Sequence, residues 1–151
     1  MKKVIIYDTL YGFTKTCSEF VYDNMYGADM YKMDSDLYNI NGYSEVLIGT
    51  YVYKGAVSEK TQEFLKMNKT RLLDKKLKIF CSALDKSDFN HALQTSLDPD
   101  IFYHAEIANS GGKIQLSKLS FFEKRLIKKR INITEDVDEF YPERLLELIK
   151  H

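Results

Sequence analysis

A short run of hydroxyl-bearing residues around one glycine, Thr9-Leu10-Tyr11-Gly12-Phe13-Thr14, is the part of this chain best suited to chemistry. It follows the apolar run Val4-Ile5-Ile6-Tyr7 and leads directly into a helical pattern. A strand, a small-residue loop and a helix in that order build an anion site, because loop N–H groups and the positive end of the helix dipole converge. Gly12 allows the tight backbone turn, and Thr9 and Thr14 supply hydroxyl donors. The loop lacks the G-x-G-x-x-G of dinucleotide sites and the G-K-[ST] of nucleoside-triphosphate loops. A terminal phosphate is the anion that fits.

A second segment, Thr50-Tyr51-Val52-Tyr53-Lys54-Gly55, follows the apolar run Glu45-Val46-Leu47-Ile48-Gly49. Its two tyrosines offer faces that stack on a flat π system. A third, Ala83-Leu84-Asp85, ends another apolar run, Leu77 to Ala83. Together the segments predict a site for a ligand with a phosphate tail and a planar head. No catalytic dyad is visible, although Asp8, Asp85 and Asp88 fall close by in this reading.

The elements that position these segments are read from periodicity. Strands are predicted over 3–8, 28–33, 45–49, 77–83 and 101–108. Helices are predicted over roughly 14–26, from Ser58 onward, from Ser87 or Asp88 onward, over 119–130 and over 142–150. Continuous apolar strands separated by helices mean a parallel sheet covered on both faces. The fold class is therefore α/β, a doubly wound five-stranded sheet. In such sheets ligands lie outside the carboxyl ends of the strands, which is where Thr9–Thr14, Thr50–Ser58 and Leu84–Asp88 fall.

The composition fits this frame. A length of 151 residues suits one domain spanning 1–151. Formal net charge is zero, which argues against a nucleic-acid partner. No apolar run approaches the ~20 residues that span a bilayer, and the apolar stretch after Lys2-Lys3 is too short for a signal peptide. A cytoplasmic protein is expected. Cys17 and Cys81 lack C-x-x-C spacing and read as buried thiols, and His91, His104 and His151 show no metal-ligand spacing.

On these residues the chain resembles the flavodoxin family. Thr9, Gly12 and Thr14 match its phosphate loop, Gly49 with Tyr51 and Tyr53 match its second loop, and the element order agrees along the whole chain. The resemblance implies a flavodoxin-like fold and FMN as cofactor. It places the phosphate at Thr9, Leu10, Tyr11, Gly12, Phe13 and Thr14. The ring would lie by Thr50, Tyr51, Val52, Tyr53 and Gly55, with backbone around Ala83, Leu84 and Asp85 at its edge. Tyr11 and Phe13 stand where the family has smaller polar residues.

Three short segments, Ile48-Gly49, Gln62-Glu63-Phe64 and Phe121 to Lys128, are similar to the branch containing menaquinone-dependent protoporphyrinogen oxidase. That similarity implies electron transfer, with a redox partner protein or a quinone as partner. Electron-carrying flavodoxins are acidic, whereas this chain is neutral, so steering toward basic partners is not expected of it. The predicted 119–130 helix sets Lys118, Lys124, Arg125, Lys128, Lys129 and Arg130 beside Leu119, Phe122, Leu126 and Ile127. It is a candidate for weak peripheral membrane contact, against the plainer reading of a covering helix with solvated lysines. The rival to the whole reading is a module of the same fold that binds no flavin and acts through protein contacts.

Overall fold

The computed structural model describes residues 2–125 and 135–150. Five strands run parallel in the order β2-β1-β3-β5-β6: β1 is Lys3–Tyr7, β2 Ala28–Lys32, β3 Glu45–Tyr53, β5 Lys76–Ser82 and β6 Glu106–Ile114. A short β4, Ala56–Val57, folds back antiparallel on the end of β3. β7, Val137–Phe140, joins the far edge antiparallel to β6. Five parallel strands with helices on both faces agree with the sequence reading, and β4 and β7 are additions to it.

The strands are apolar at successive positions because each face has its own core. Val4, Ile6, Val46, Ile48, Ile79 and Cys81 face one way, against Phe64 and Leu65 of α2 (Glu59–Met67), Leu72 of α3 (Lys69–Leu73) and Ala92 and Leu93 of α4 (Lys86–Ser96). Ile5, Leu47 and Phe80 face the other way, against Cys17 and Val21 of α1 (Phe13–Asp23) and Leu145 and Leu148 of the C-terminal helix Pro142–Ile149. Both cysteines are free and buried, and burial pushes the Cys17 thiol up to about 12.

Two predicted elements change. The predicted strand 101–108 is a helix at its start: α5 spans Pro99–His104, and β6 begins at Glu106. The Asp98 carboxylate accepts from Asp100 N–H at 2.8 Å and Pro99 fills the first turn, so capping overrides the β propensity of Ile101-Phe102-Tyr103. β6 instead runs on through Asn109-Ser110-Gly111-Gly112, beyond the end of the predicted strand. There the ladder with β5 shifts register between Cys81 and Ser82, and Ala83 N–H donates to the Gly111 carbonyl.

The predicted 119–130 helix is also shorter at its start. A 3-10 turn covers Leu116–Lys118, and residues 121–125 are helical (α6). Residues 126–130 of that prediction lie outside the described residues. Phe122, expected on the covered stripe, is 77% exposed, and among the described residues of that stripe only Leu119 is buried. The helix over Pro142–Ile149, here α7, forms as expected. Among the described residues no helix is long and apolar enough to cross a membrane.

Candidate functional site

A cleft opens at the carboxyl ends of β1, β3, β5 and β6. It is lined by Thr9, Leu10, Tyr11, Phe13 and Thr14 after β1, and by Tyr51, Val52, Tyr53, Lys54 and Gly55 from β3 and its turn. Ser82 from the end of β5 lines it with Ala83, Leu84 and Asp88 after it, Gly112 and Lys113 from β6, and Leu119 and Glu123 beyond β6.

The first loop takes the shape its residues allow. Gly12 sits at φ 92, a left-handed conformation that glycine adopts without strain, immediately before α1. Its N–H donates to the Thr9 hydroxyl at 3.0 Å, which curls the loop, and its carbonyl accepts from Thr16 N–H at 3.1 Å. The first N–H groups of α1 have no intrahelical acceptor, and no acidic residue occupies its first turn. Thr14 borders the cleft, but its hydroxyl is buried and turned onto the Thr50 carbonyl at 3.4 Å.

The second segment reads as a loop in sequence and is instead a strand through Tyr53. Lys54 and Gly55 form a two-residue turn with φ of 52 and 79, both left-handed. That geometry matches strand twist and returns the chain as β4. Tyr51, Val52, Tyr53 and Gly55 therefore reach the cleft from a paired ribbon. Thr50 does not. It is fully buried, and its hydroxyl shares a 2.7 Å bond with Thr61 of α2.

In the third segment Ala83 and Leu84 line the cleft. Asp85 instead caps α4, its carboxylate accepting from Asp88 N–H at 2.6 Å. Asp8 hydrogen-bonds the Ser58 hydroxyl, which itself caps α2 by accepting from Thr61 N–H at 3.3 Å. Of the residues expected at the site, the structure thus brings together all but Gly12, Thr50 and Asp85, and these three shape the walls from behind.

Lys54 and Asp88 join the lining from within the expected segments, while Ser82, Gly112, Lys113, Leu119 and Glu123 line the cleft without having been expected there. Glu123 is the most connected of them. One carboxylate oxygen accepts from the Tyr53 hydroxyl at 3.0 Å and also from the Tyr11 hydroxyl. The other accepts from Ser120 N–H at 3.2 Å, while the Ser120 hydroxyl accepts from Glu123 N–H at 3.2 Å. The reciprocal pair is a capping box that starts α6. The tyrosine hydroxyls, Tyr11 foremost, hold the Glu123 carboxyl below the usual glutamate range. Burial, and then the carboxylate, raises the Tyr11 and Tyr53 phenols above theirs. At neutral pH this is one ionised carboxylate held by two neutral phenols. The S-x-x-E spacing of Ser120 and Glu123 is a readable signal for the capping box, but nothing in it names the tyrosines.

The sequence model of the flavodoxin domain matches residues 4–140. No curated protein matches the sequence. Among solved structures, the chain is similar to a flavoprotein from Lactobacillus acidophilus NCFM in complex with FMN, at 14% identity, TM-score 0.55, and coverage of 74% of this chain and 92% of that one. It is similar to a short-chain flavodoxin associated with a non-canonical PDU bacterial microcompartment, at 17% identity, TM-score 0.56, and coverage of 99% and 97%. A Fusobacterium nucleatum flavodoxin bound to flavin mononucleotide gives 12% identity, TM-score 0.56, and coverage of 99% and 95%. At these identities the structures speak for the fold.

Proposed function

The chain belongs to the flavodoxin family, and from that premise we propose that it binds FMN and carries electrons between redox partners. The observation that carries this reading is the turn at Gly12. It brings the N-terminus of an 11-residue helix, free of acidic residues in its first turn, to a cleft walled by tyrosines and aliphatic side chains. That combination fits an anionic tail joined to a flat apolar ring. The structural relatives described as holding FMN supply the same ligand by analogy.

In this reading the Thr9–Thr14 turn would hold the phosphate through backbone N–H groups, with the Thr9 hydroxyl committed to shaping the turn. Tyr51, Val52, Tyr53 and Gly55 would border the ring, and Ala83 and Leu84 would meet its edge. Thr50 and Asp85, given the same role from sequence, would act by supporting those walls. Bound FMN supplies the electron-transfer chemistry, and the protein supplies binding, orientation and exclusion of water. The Glu123 carboxylate keeps the Tyr11 and Tyr53 hydroxyls engaged, so these side chains present aromatic surface to the cleft.

The visible spectrum of the purified protein, before and after addition of FMN, tests the proposal. Saturable uptake with a perturbed flavin band is expected. A colourless protein that FMN does not saturate would overturn it in favour of a flavin-free module acting through protein contacts.

Two narrower elements belong to the same proposal. One is a redox partner protein or quinone as the electron acceptor, in a cytoplasmic setting with weak peripheral membrane contact. The other is oxidation of protoporphyrinogen. The second rests on three short sequence segments, and none of the three structural neighbours above is described as such an oxidase. An anaerobic assay with protoporphyrinogen and menaquinone decides it.

A further inference from the structure

We propose that Glu123 is a positioning residue that latches the 116–125 segment across the cleft and sets the rate at which bound flavin leaves. The inference rests on the flavin reading above for its ligand, and on geometry alone for the latch. Three separate pieces of chain meet at this one side chain. Tyr11 comes from the turn after β1, Tyr53 from the end of β3, and Ser120 from the start of α6. Tyr11 is 112 residues away in sequence and Tyr53 is 70.

The arrangement couples the two walls. Both hydroxyls land on the same carboxylate oxygen, so the wall after β1 and the wall from β3 are held by one acceptor. The capping box fixes that acceptor to the first turn of α6, and buried Leu119 seats the segment against the cleft. Hydrogen bonds to an ionised group are about twice as strong as neutral ones. Loss of the carboxylate therefore frees the segment and both tyrosines together. A ligand lying in the cleft between those walls leaves only when the latch opens. Association, which starts from a cleft already open part of the time, is less affected than release.

The test measures FMN release from the 151-residue chain by stopped flow, with hydrogen exchange of peptides covering 116–125 in the flavin-free chain. Glu123→Ala is expected to speed release at least tenfold and to raise exchange across 116–125. Glu123→Gln keeps an oxygen that accepts from both hydroxyls but loses the charge that strengthens those bonds, so its release rate is expected to fall between those of wild type and Glu123→Ala. Ser120→Ala removes the hydroxyl of the capping box and leaves the tyrosine bonds, so it is expected to speed release by less than Glu123→Ala does.

Because the tyrosine hydroxyls act through Glu123, Tyr53→Phe should add nothing to Glu123→Ala. Release from Glu123→Ala within twofold of wild type overturns the proposal, as does full additivity with Tyr53→Phe. Unchanged exchange in 116–125 overturns the latch whatever the flavin does. A wild-type chain that takes up no FMN while Glu123→Ala still loosens 116–125 overturns the flavin reading and supports the latch.

Discussion

Two glutamates stand at opposite ends of the same sheet and are stabilised by different means. Glu45 opens β3 at the amino end of the strands and is buried, with its carboxylate 3.5 Å from Lys78, 3.6 Å from Lys76 and 3.7 Å from Lys3. Lys78 is fully buried beside it. Among the described residues, the Lys78 ammonium and one Glu45 oxygen have no hydrogen-bond partner. Burial pushes the Lys78 ammonium below the ordinary lysine value, and Glu45 opposes that. Glu123, at the carboxyl end, is held instead by neutral donors, the hydroxyls of Tyr11 and Tyr53 and the N–H of Ser120.

The contrast separates two jobs. At the amino end, opposite charges compensate each other in a dry place, and removing one leaves the other stranded. At the carboxyl end, neutral donors hold a half-exposed anion that water could also serve, so the contact can open and close at small energetic penalty. The first arrangement suits a foundation, and the second suits a site that must exchange a ligand.

The sharpest way to break this comparison is Glu45→Ala. It leaves Lys78 buried without its partner and should destabilise the fold by about 3–5 kcal/mol, read by urea unfolding. A loss below about 1 kcal/mol would erase the distinction between the two ends. Next in size is Gly12→Ala, which forces a side chain into a left-handed backbone and costs about 1–2 kcal/mol. It should also weaken FMN severalfold in a flavin titration, because it disturbs the start of α1. Asp85→Ala follows, removing the α4 cap at about 1 kcal/mol. Thermal unfolding should register it, with a smaller loss of FMN affinity than Gly12→Ala gives.

The smallest effect is a pH response confined to the carboxyl end. The folded value of Glu123 lies below that of a free glutamate. Its contribution is therefore fully present above the ordinary glutamate range and lost as pH falls through the lowered value. Hydrogen exchange of 116–125, corrected for intrinsic rates, should stay constant from neutral pH down to that range and accelerate below it. In Glu123→Ala the step should vanish.

One half of this picture is legible in the sequence. Strands covered on both faces are continuously apolar, so β1, β3 and β5 announce themselves, and Gly12 between threonines marks the first turn. Capping geometry is harder to weigh against propensity, which is why Pro99–His104 reads in part as a strand. Asn109 to Gly112 fall outside the predicted strand because these polar and glycine residues owe their strand conformation to pairing with β5. Thr50 and Asp85 lie in the segments that form the cleft, yet their side chains point to Thr61 and to the α4 N-terminus. Glu123 is invisible as a site residue, since only the fold brings it to Tyr11 and Tyr53.

The short seventh strand carries one more consequence. Among the described residues Val137–Phe140 ends the sheet, with Asp138 and Glu139 exposed on a ladder of only 4 residues. A strand from another molecule trying to extend the sheet there would meet two carboxylates and little length to pair with. This margin thus resists the edge-to-edge pairing that open sheets invite.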